Sequence, residues 1–478
     1  MCEKEYFVFV RSEDGKDTLS LRLNLRGREC RFLRAKNEPV GRALKRIATN
    51  LARNGETKRK KKGKGGDGVD DTLPAEVVLY AGITEVSSET ENQDAWVGGN
   101  TLRVDDRRFV VTVNTPAVKF LKLPCCLLAT CPAVPLVELE FADVEHCRWA
   151  WRRYDPANPL PPTVFPESAA TDKDRPVVDP KPRLPISDPI ISTSFIYWTA
   201  EEDEGYKLVL ECTPCNESGE EGEPVKVVSK NIVSRFWNIP MMERHLMTPN
   251  HLAEPTQFRV VSYNILADVY ATSERARSAL YPYCDPSALD QDYRRCLIAR
   301  ELLGYHGDIV CLQEVGAKCF SQFLCPALHQ WGYQACFHPK AGKTPEGEAT
   351  FFNSSKFSLI QEDAVVLREF VNQSPNCRDI LSLHPLILAD LLERHNILQT
   401  VLLRSTEITN SYILAANTHL YFHPMGDHIR LLQVAISLKI LGSKLREYQH
   451  KLGTDARFAV VFCGDFNSCP CTAAYSYL

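Results

Sequence analysis

Apolar and polar positions follow two different grammars along the chain, and the change falls near residue 250. In the first half the apolar runs are short and bounded by polar residues. Tyr6–Val10 and Leu19–Leu25 suit strands, and Pro39 then opens a helix, where its missing N–H costs nothing. Val40, Leu44, Ile47 and Leu51 follow at steps of three and four, so one face of that helix is expected to be buried. Val77–Tyr80, Phe109–Val113, Val137–Phe141, Tyr206–Cys212 and Val225–Val228 read as further strands. Ten prolines lie between Asp155 and Ile190, a density that prevents helix and interior strand and marks a loop or linker. Residues 1–250 therefore form a β-rich accessory region, with one domain or two left open.

From Gln257 onward strands and helices alternate. Phe258–Asn264 reads as a strand and Asp292–Leu303 as a helix stopped by Gly304. Asp308–Gln313, Asn396–Leu403 and Tyr412–Asn417 read as strands. A long helix follows over Asp427–Lys451, with Leu431, Val434, Leu438, Leu441, Leu445, Tyr448 and Leu452 on one stripe and Gly453 as its stop. Ala459–Cys463 is expected to be a final buried strand. This order implies a layered α/β domain over 251–478.

Composition changes the picture little. Apolar content of 44% and charged content of 24% are ordinary for a globular chain. A formal net charge of -4 advertises no nucleic-acid binder, so attraction to phosphate must be local. The local exception is Lys58–Lys64, with six Lys or Arg, then Gly65, Gly66 and Gly68. It reads as a solvated loop; as an RNA-attracting arm it would add salt-dependent affinity. The 18 cysteines have no small-domain spacing and no secretory signal precedes them, which fits reduced thiols. The most apolar stretch, Leu123–Val137, is broken by Pro124, Pro132 and Pro135 and is shorter than the ~20 residues a span needs, so no membrane partner is expected. Glu3, Glu5, Glu13, Asp14 and Asp17 do not suit a mitochondrial presequence.

Four polar clusters each end an apolar strand, where layered α/β proteins place their sites. They are Ser262-Tyr263-Asn264-Ile265-Leu266, Cys311-Leu312-Gln313-Glu314-Val315, Asn417-Thr418-His419-Leu420 and Gly464-Asp465-Phe466-Asn467. Singly each has a plain reading: a turn asparagine, a solvent-reaching glutamate, a structural histidine, a Gly-Asp turn. Jointly they suit metal-assisted phosphoryl transfer. Glu314 can supply the main carboxylate to magnesium, which often takes only one or two plus waters and phosphate. Asp465 and Asn467, two apart on an extended segment, point the same way and could hold a water or metal while the Asn467 amide donates to phosphate. His419, cationic or donating, can neutralise charge on the phosphoryl group.

Tyr263-Asn264-Ile265-Leu266, Leu312-Gln313-Glu314-Val315, Asn417-Thr418-His419-Leu420 and Gly464-Asp465-Phe466-Asn467, in this order, resemble the exonuclease–endonuclease–phosphatase superfamily. Asn417 to Pro424, Ile429-Arg430-Leu431-Leu432-Gln433 and Glu346 to Phe352 resemble its deadenylase-like branch. Leu280 to Cys284, Asp292-Tyr293-Arg294, Glu38 to Leu44 and Arg46 to Asn50 are similar to the mitochondrial 2′,5′-phosphodiesterases of that branch, and extend the resemblance over nearly the whole chain. The resemblance implies a four-layer α/β/β/α sandwich after a β-rich accessory region. It implies a magnesium-dependent 3′-exoribonuclease, with manganese as the alternative ion, that degrades 2′,5′-oligoadenylate and adenylate 3′ ends of RNA in the mitochondrial matrix. No obligate protein partner is evident, and the absent presequence makes a cytosolic form the alternative. By the same resemblance Glu314 is the primary metal ligand, Asp465 the general base sharing the metal, and Asn467 the metal- and phosphate-contacting partner. Asn264 is the polar anchor beside the metal and His419 the contact to the scissile phosphate.

The pattern departs from the family after Asn467, since the late aspartate and the terminal Ser-Asp-His do not follow before Leu478. The expectation is a chain lacking its last strands, unstable and nearly inactive as it stands. Two rival functions are carried forward: a small-molecule phosphatase of the same fold, and a non-catalytic RNA-binding fragment. Cys212-x-x-Cys215 lacks a second pair, which argues against zinc. Cys463, Cys469 and Cys471 read as small apolar fillers around Asp465. His423 and His428 have no motif that assigns them a role.

Overall fold

The computed structural model describes residues 6–25, 28–59, 76–157, 189–236, 241–250, 252, 254 and 256–478. Lys60–Lys64 of the basic run and 158–188 of the proline-rich segment lie outside the described residues.

The first unit is one seven-stranded sheet with helices on a single face. Its elements are β1 (Tyr6–Ser12), β2 (Thr18–Leu25), β3 (Arg28–Ala35), α1 (Val40–Arg59), β4 (Val77–Ala81), β5 (Thr84–Glu85), α2 (Asn92–Ala95), β6 (Thr101–Val104) and β7 (Arg107–Val113), in the sheet order β3-β2-β1-β7-β6-β4-β5. Strict alternation explains the one-sided cover. Leu19, Leu21, Leu23 and Leu25 of β2 and Val8 and Val10 of β1 turn inward onto Val40, Ala43, Ile47 and Leu51 of α1. The helix continues to Arg59, so Lys58 and Arg59 belong to it and not to a loop.

The second unit has its own core around Trp149, Trp151, Leu208, Leu210 and Cys212. Its strands are β8 (Ala117–Lys122), β9 (Leu127–Leu128), β10 (Pro132–Ala133), β11 (Leu136–Glu140), β12 (Arg148–Tyr154), β13 (Tyr197–Trp198), β14 (Lys207–Thr213), β15 (Val225–Val228) and β16 (Val233–Ser234). Leu128, Cys131, Val134 and Ile196 leave that core and pack into the helical layer of the third unit.

The third unit is two four-stranded sheets packed face to face between helices. After α3 (Met241–His245) come β17 (Val260–Asn264), α4 (Asp268–Ala271), α5 (Gln291–Gly304), β18 (Ile309–Gly316), α6 (Ala317–Cys319), α7 (Cys325–His329), β19 (Tyr333–Pro339) and β20 (Glu346–Asn353). Next are β21 (Phe357–Val366), α8 (Leu367–Gln373), α9 (Pro375–Ser382), α10 (Pro385–Leu392), β22 (Ile397–Ser405), β23 (Ser411–His419), α11 (Asp427–Leu452), β24 (Arg457–Asp465) and α12 (Ala473–Tyr477). The sheets run β17-β18-β20-β19 and β21-β22-β23-β24. Ile309, Cys311, Cys336 and Phe352 of one meet Val401, Leu403, Ile413 and Ala415 of the other. Helix α5 covers the first sheet from outside and α8, α10 and α11 cover the second. This is the α/β/β/α sandwich that the family resemblance implies. No helix among the described residues is long and apolar enough to cross a membrane.

Three expectations change. Gly304 is the last residue of α5 rather than a stop beyond it: a Cβ there would lie 2.1 Å from the ring of His245, so the residue is small because α3 packs against it. Strand β24 is not a buried one. Among the described residues it pairs on one side only, with β23, and Val460 is 45% exposed. Strands β19, β20 and β21 escaped the periodicity: β19 and β21 are edge strands, and in β20 the polar Glu346, Glu348 and Thr350 alternate with Gly347, Ala349 and Phe351 yet are buried on both faces.

Candidate active site

The two sheets bring four strand ends together. β17 and β18 run parallel, as do β23 and β24, so Asn264, Glu314, His419 and Asp465 emerge at one end of the sandwich. Asn264 is the joint between them. Its Nδ2 donates to Glu314 Oε1 at 2.8 Å and to Asp465 Oδ2 at 2.9 Å, and its Oδ1 accepts the Leu266 N–H at 2.9 Å. These three bonds fix which end of the amide faces the carboxylates. Glu314 Oε2 accepts the Ala267 N–H at 3.0 Å. Arg294 of α5 holds this loop by donating to the carbonyls of Ile265 (2.5 Å) and Leu266 (2.8 Å).

The backbone is unusual at the chemistry. Glu314 (φ 57°) and Asn467 (φ 48°) are both left-handed, a conformation that costs non-glycine residues of order 1–3 kcal/mol and gathers at functional sites. Asp465 and Asn467 therefore do not project from one extended segment. Asp465 Oδ1 accepts the Asn467 N–H at 2.9 Å in an Asx turn, and Asn467 Nδ2 donates to the Leu420 carbonyl at 3.0 Å. Gly464 permits the approach of β24 to β23, because a Cβ would sit 2.1 Å from the Thr418 carbonyl oxygen.

His419 is buried, with Nε2 3.7 Å from Asp465 Oδ2 and Nδ1 4.0 Å from Glu314 Oε1. Burial pushes its pKa down to about 4; the neighbouring Lys340 adds to that, and Asp465 and Glu314 oppose it. The imidazole is thus neutral, which removes the cationic role and leaves the donor role.

Sequence reasoning missed the groups beneath. Lys340, just after β19, reaches His419 Nδ1 at 2.9 Å and Glu346 Oε1 at 2.9 Å. Burial raises the pKa of Glu346 and raises that of Glu348 far above the ordinary carboxylate range. No motif marks Lys340, whereas both glutamates stand in the quoted Glu346 to Phe352 segment. Asn417, a member of the third cluster, is structural: buried, it accepts from Gln313 Nε2 at 2.8 Å and donates to the Leu312 and Ala349 carbonyls. These bonds stitch the two sheets together below the site. On α11, Arg430 donates to the His423 carbonyl at 2.7 Å and Gln433 accepts from the Tyr421 N–H at 2.9 Å, fixing the loop that follows His419. His423 and His428 are exposed, and His428 Nε2 lies 3.8 Å from Asp390 Oδ2. Cys469 and Cys471 are exposed rather than fillers, while Cys463 packs against the cluster between the sheets that contains Cys311.

The constellation joins two carboxylates, two amides and a neutral imidazole donor at one mouth. The profile of the Endonuclease/Exonuclease/phosphatase family matches residues 261–478, which contain all five. The human 2′,5′-phosphodiesterase 12 is 34% identical over 98% of this chain and 77% of its own length. The chain belongs to that family. The CCR4-Not complex 3′-5′-exoribonuclease subunit Ccr4 of Candida albicans is 32% identical over 46% of this chain and 28% of its own. Among solved structures, that of ANGEL2, a 2′,3′-cyclic phosphatase, is 32% identical over 46% of this chain and 55% of its own, with a TM-score of 0.37. Family membership makes this chain an enzyme of the phosphodiesterase and exoribonuclease class.

Proposed function

We propose that the chain is a magnesium-dependent 3′-exoribonuclease that hydrolyses 2′,5′-oligoadenylate and adenylate tails of RNA to AMP. The observation that carries it is the single amide of Asn264 bonded to both Glu314 and Asp465, with the neutral imidazole of His419 beside them. Two carboxylates held this close repel one another, and a hard cation between them offsets that repulsion. Glu314, Asp465 and the Asn467 amide oxygen are the oxygen donors that suit Mg²⁺, or Mn²⁺ in its place. Among the described residues no three His, Cys, Asp or Glu converge as a cage, and Mg²⁺ asks for none because it keeps several waters. When bound, such an ion polarises the phosphoryl group.

The chain's own residues then account for the rest. Asp465 accepts the proton of the attacking water. The Nε2–H of His419 and the second amide hydrogen of Asn467 donate to phosphoryl oxygens as charge grows there, while the Asn264 amide keeps both of its hydrogens on Glu314 and Asp465. A bond forms from water oxygen to phosphorus. The bond from phosphorus to the 2′ or 3′ oxygen of the preceding nucleotide breaks, and that oxygen takes a proton.

Release of AMP from 2′–5′ and 3′–5′ triadenylate, with and without Mg²⁺, tests the reading. Glu314→Ala and Asp465→Ala should abolish it. Phosphate released from small monoesters, with oligoadenylate untouched, would replace it by the phosphatase; binding without turnover would favour the RNA-binding fragment.

A further inference from the structure

The sheet of the first unit has two faces, and among the described residues helices cover only one. Helices α1 and α2 bury the inward residues, and neither Phe7 nor Phe9 of β1 joins that core. Both point outward near the middle of the sheet, Phe7 at 37% exposure, with ring centroids 6.0 Å apart. Phe7 pairs with Val110 of β7. Phe9 pairs with Arg22, which pairs in turn with Arg31, so one row of the face reads Arg31, Arg22, Phe9, Thr112. The Arg22 guanidinium stands 4.9 Å from the Phe9 ring centroid. On the other side Arg103 pairs with Arg108 and lies 5.7 Å from the Tyr80 ring. Strand positions on this face carry Arg11, Arg22, Arg31, Arg103 and Arg108 against Glu29 and Glu85, and Glu29, Glu76 and Glu140 pair with Arg31, Arg103 and Arg11 at 2.6 Å each.

We propose that this open face is a docking platform for single-stranded RNA, holding substrate away from the 3′ end being cut. The proposal rests on the reading of RNA as substrate. Its warrant is the chemistry of the face. Aromatic rings on a sheet stack unpaired bases, and arginine planes stack on bases or grip phosphates. Rings beside guanidinium groups on neighbouring strands match bases alternating with phosphates along an RNA strand. Arg11 at the face's edge is tied to Glu140 of β11 at 2.6 Å, so the platform is anchored to the second unit.

The test uses the full chain in EDTA, with fluorescence anisotropy of a labelled 15-nucleotide oligoadenylate and of triadenylate. The variants are Phe7→Ala with Phe9→Ala, and Arg22→Glu with Arg31→Glu. Each should weaken binding of the 15-mer by about tenfold or more, and the charge variant should flatten its salt dependence, by about 0.7 in log–log slope for each phosphate no longer neutralised. With Mg²⁺ restored, KM for the 15-mer should rise while kcat/KM for triadenylate stays. Thermal melting confirms that the variants fold; Phe7→Tyr with Phe9→Tyr keeps the rings and should keep the binding. Folded alanine and glutamate variants that bind the 15-mer as the parent does would overturn the platform, even with AMP release intact. Loss of binding in the variants of a chain that releases no AMP would uphold the platform and sink the exonuclease reading instead.

Discussion

Lys340 Nζ lies 2.9 Å from Nδ1 of His419. An ammonium group only donates, so Nδ1 must offer its lone pair and the ring proton must sit on Nε2, the nitrogen facing Asp465. The lysine therefore sets the tautomer with its proton on Nε2, the one that the proposed phosphate contact requires. Lys340→Met removes this constraint and should lower kcat on oligoadenylate by about a hundredfold, with KM little changed. Lys340→Gln keeps an N–H for Nδ1 and should recover part of the loss. The methionine variant also strands Glu346, so its unfolding free energy should fall by about 3 kcal/mol. Equal kcat in the parent and both variants would remove the lysine from the mechanism.

Asn264 bridges Glu314 and Asp465, and its replacement separates two effects. Asn264→Ala frees both carboxylates to drift and should raise the Mg²⁺ concentration for half-maximal activity about 10- to 100-fold. Asn264→Asp adds a third like charge and should cost more activity at limiting Mg²⁺ and less at saturating Mg²⁺. Activity against Mg²⁺ concentration reads both; superimposable titrations would show that the amide positions nothing.

Much of this site was legible in the chain, and the reason is local. Asn264, His419 and Asp465 end their strands and Glu314 lies close to the end of its own, and strand ends can be found from apolar runs followed by polar residues. What was not legible depends on the second sheet. Lys340 follows β19, an edge strand of the first sheet, and its meeting with His419 on the second spans 79 residues, which no local pattern reports. The left-handed turn at Asn467 was hidden because Gly-Asp-Phe-Asn reads equally as the end of an extended strand. Burial of Ala459–Cys463 was overestimated because an apolar run does not say whether a strand has one neighbour or two.

Glu348 is fully buried and neither carboxylate oxygen has a hydrogen-bond partner among the described residues. Burial raises its pKa far above 4.5, so the folded chain holds the proton that the unfolded chain gives up. Its contribution to stability is complete below pH 4.5 and is lost as pH rises toward the folded pKa, with a slope of at most about 1.4 kcal/mol per pH unit. Glu348→Gln keeps the shape and never ionises. Urea unfolding should therefore find it close to the parent at pH 5 and increasingly more stable than the parent from pH 6 to pH 8. A difference that does not grow with pH would mean that the buried carboxyl is ionised in the folded state.

Two glycines separate backbone from side-chain crowding. A Cβ at Gly464 would meet the Thr418 carbonyl oxygen at 2.1 Å, and main chain within a sheet cannot step aside. A Cβ at Gly304 would meet the ring of His245 at 2.1 Å, and that ring ends a side chain that can rotate away, giving up its bond to the Glu301 carbonyl. Gly464→Ala should cost about 3 kcal/mol or more and, by displacing Asp465, abolish activity. Gly304→Ala should cost about 1 kcal/mol and leave kcat intact, since α5 lies behind the sheet. Adding His245→Ala should return most of the Gly304→Ala loss, and no second substitution at a side chain should do so for Gly464→Ala. Denaturation midpoints of the three variants, with AMP release measured alongside, decide the matter: a Gly464→Ala chain as active and stable as the parent would mean that β23 and β24 are not held this close.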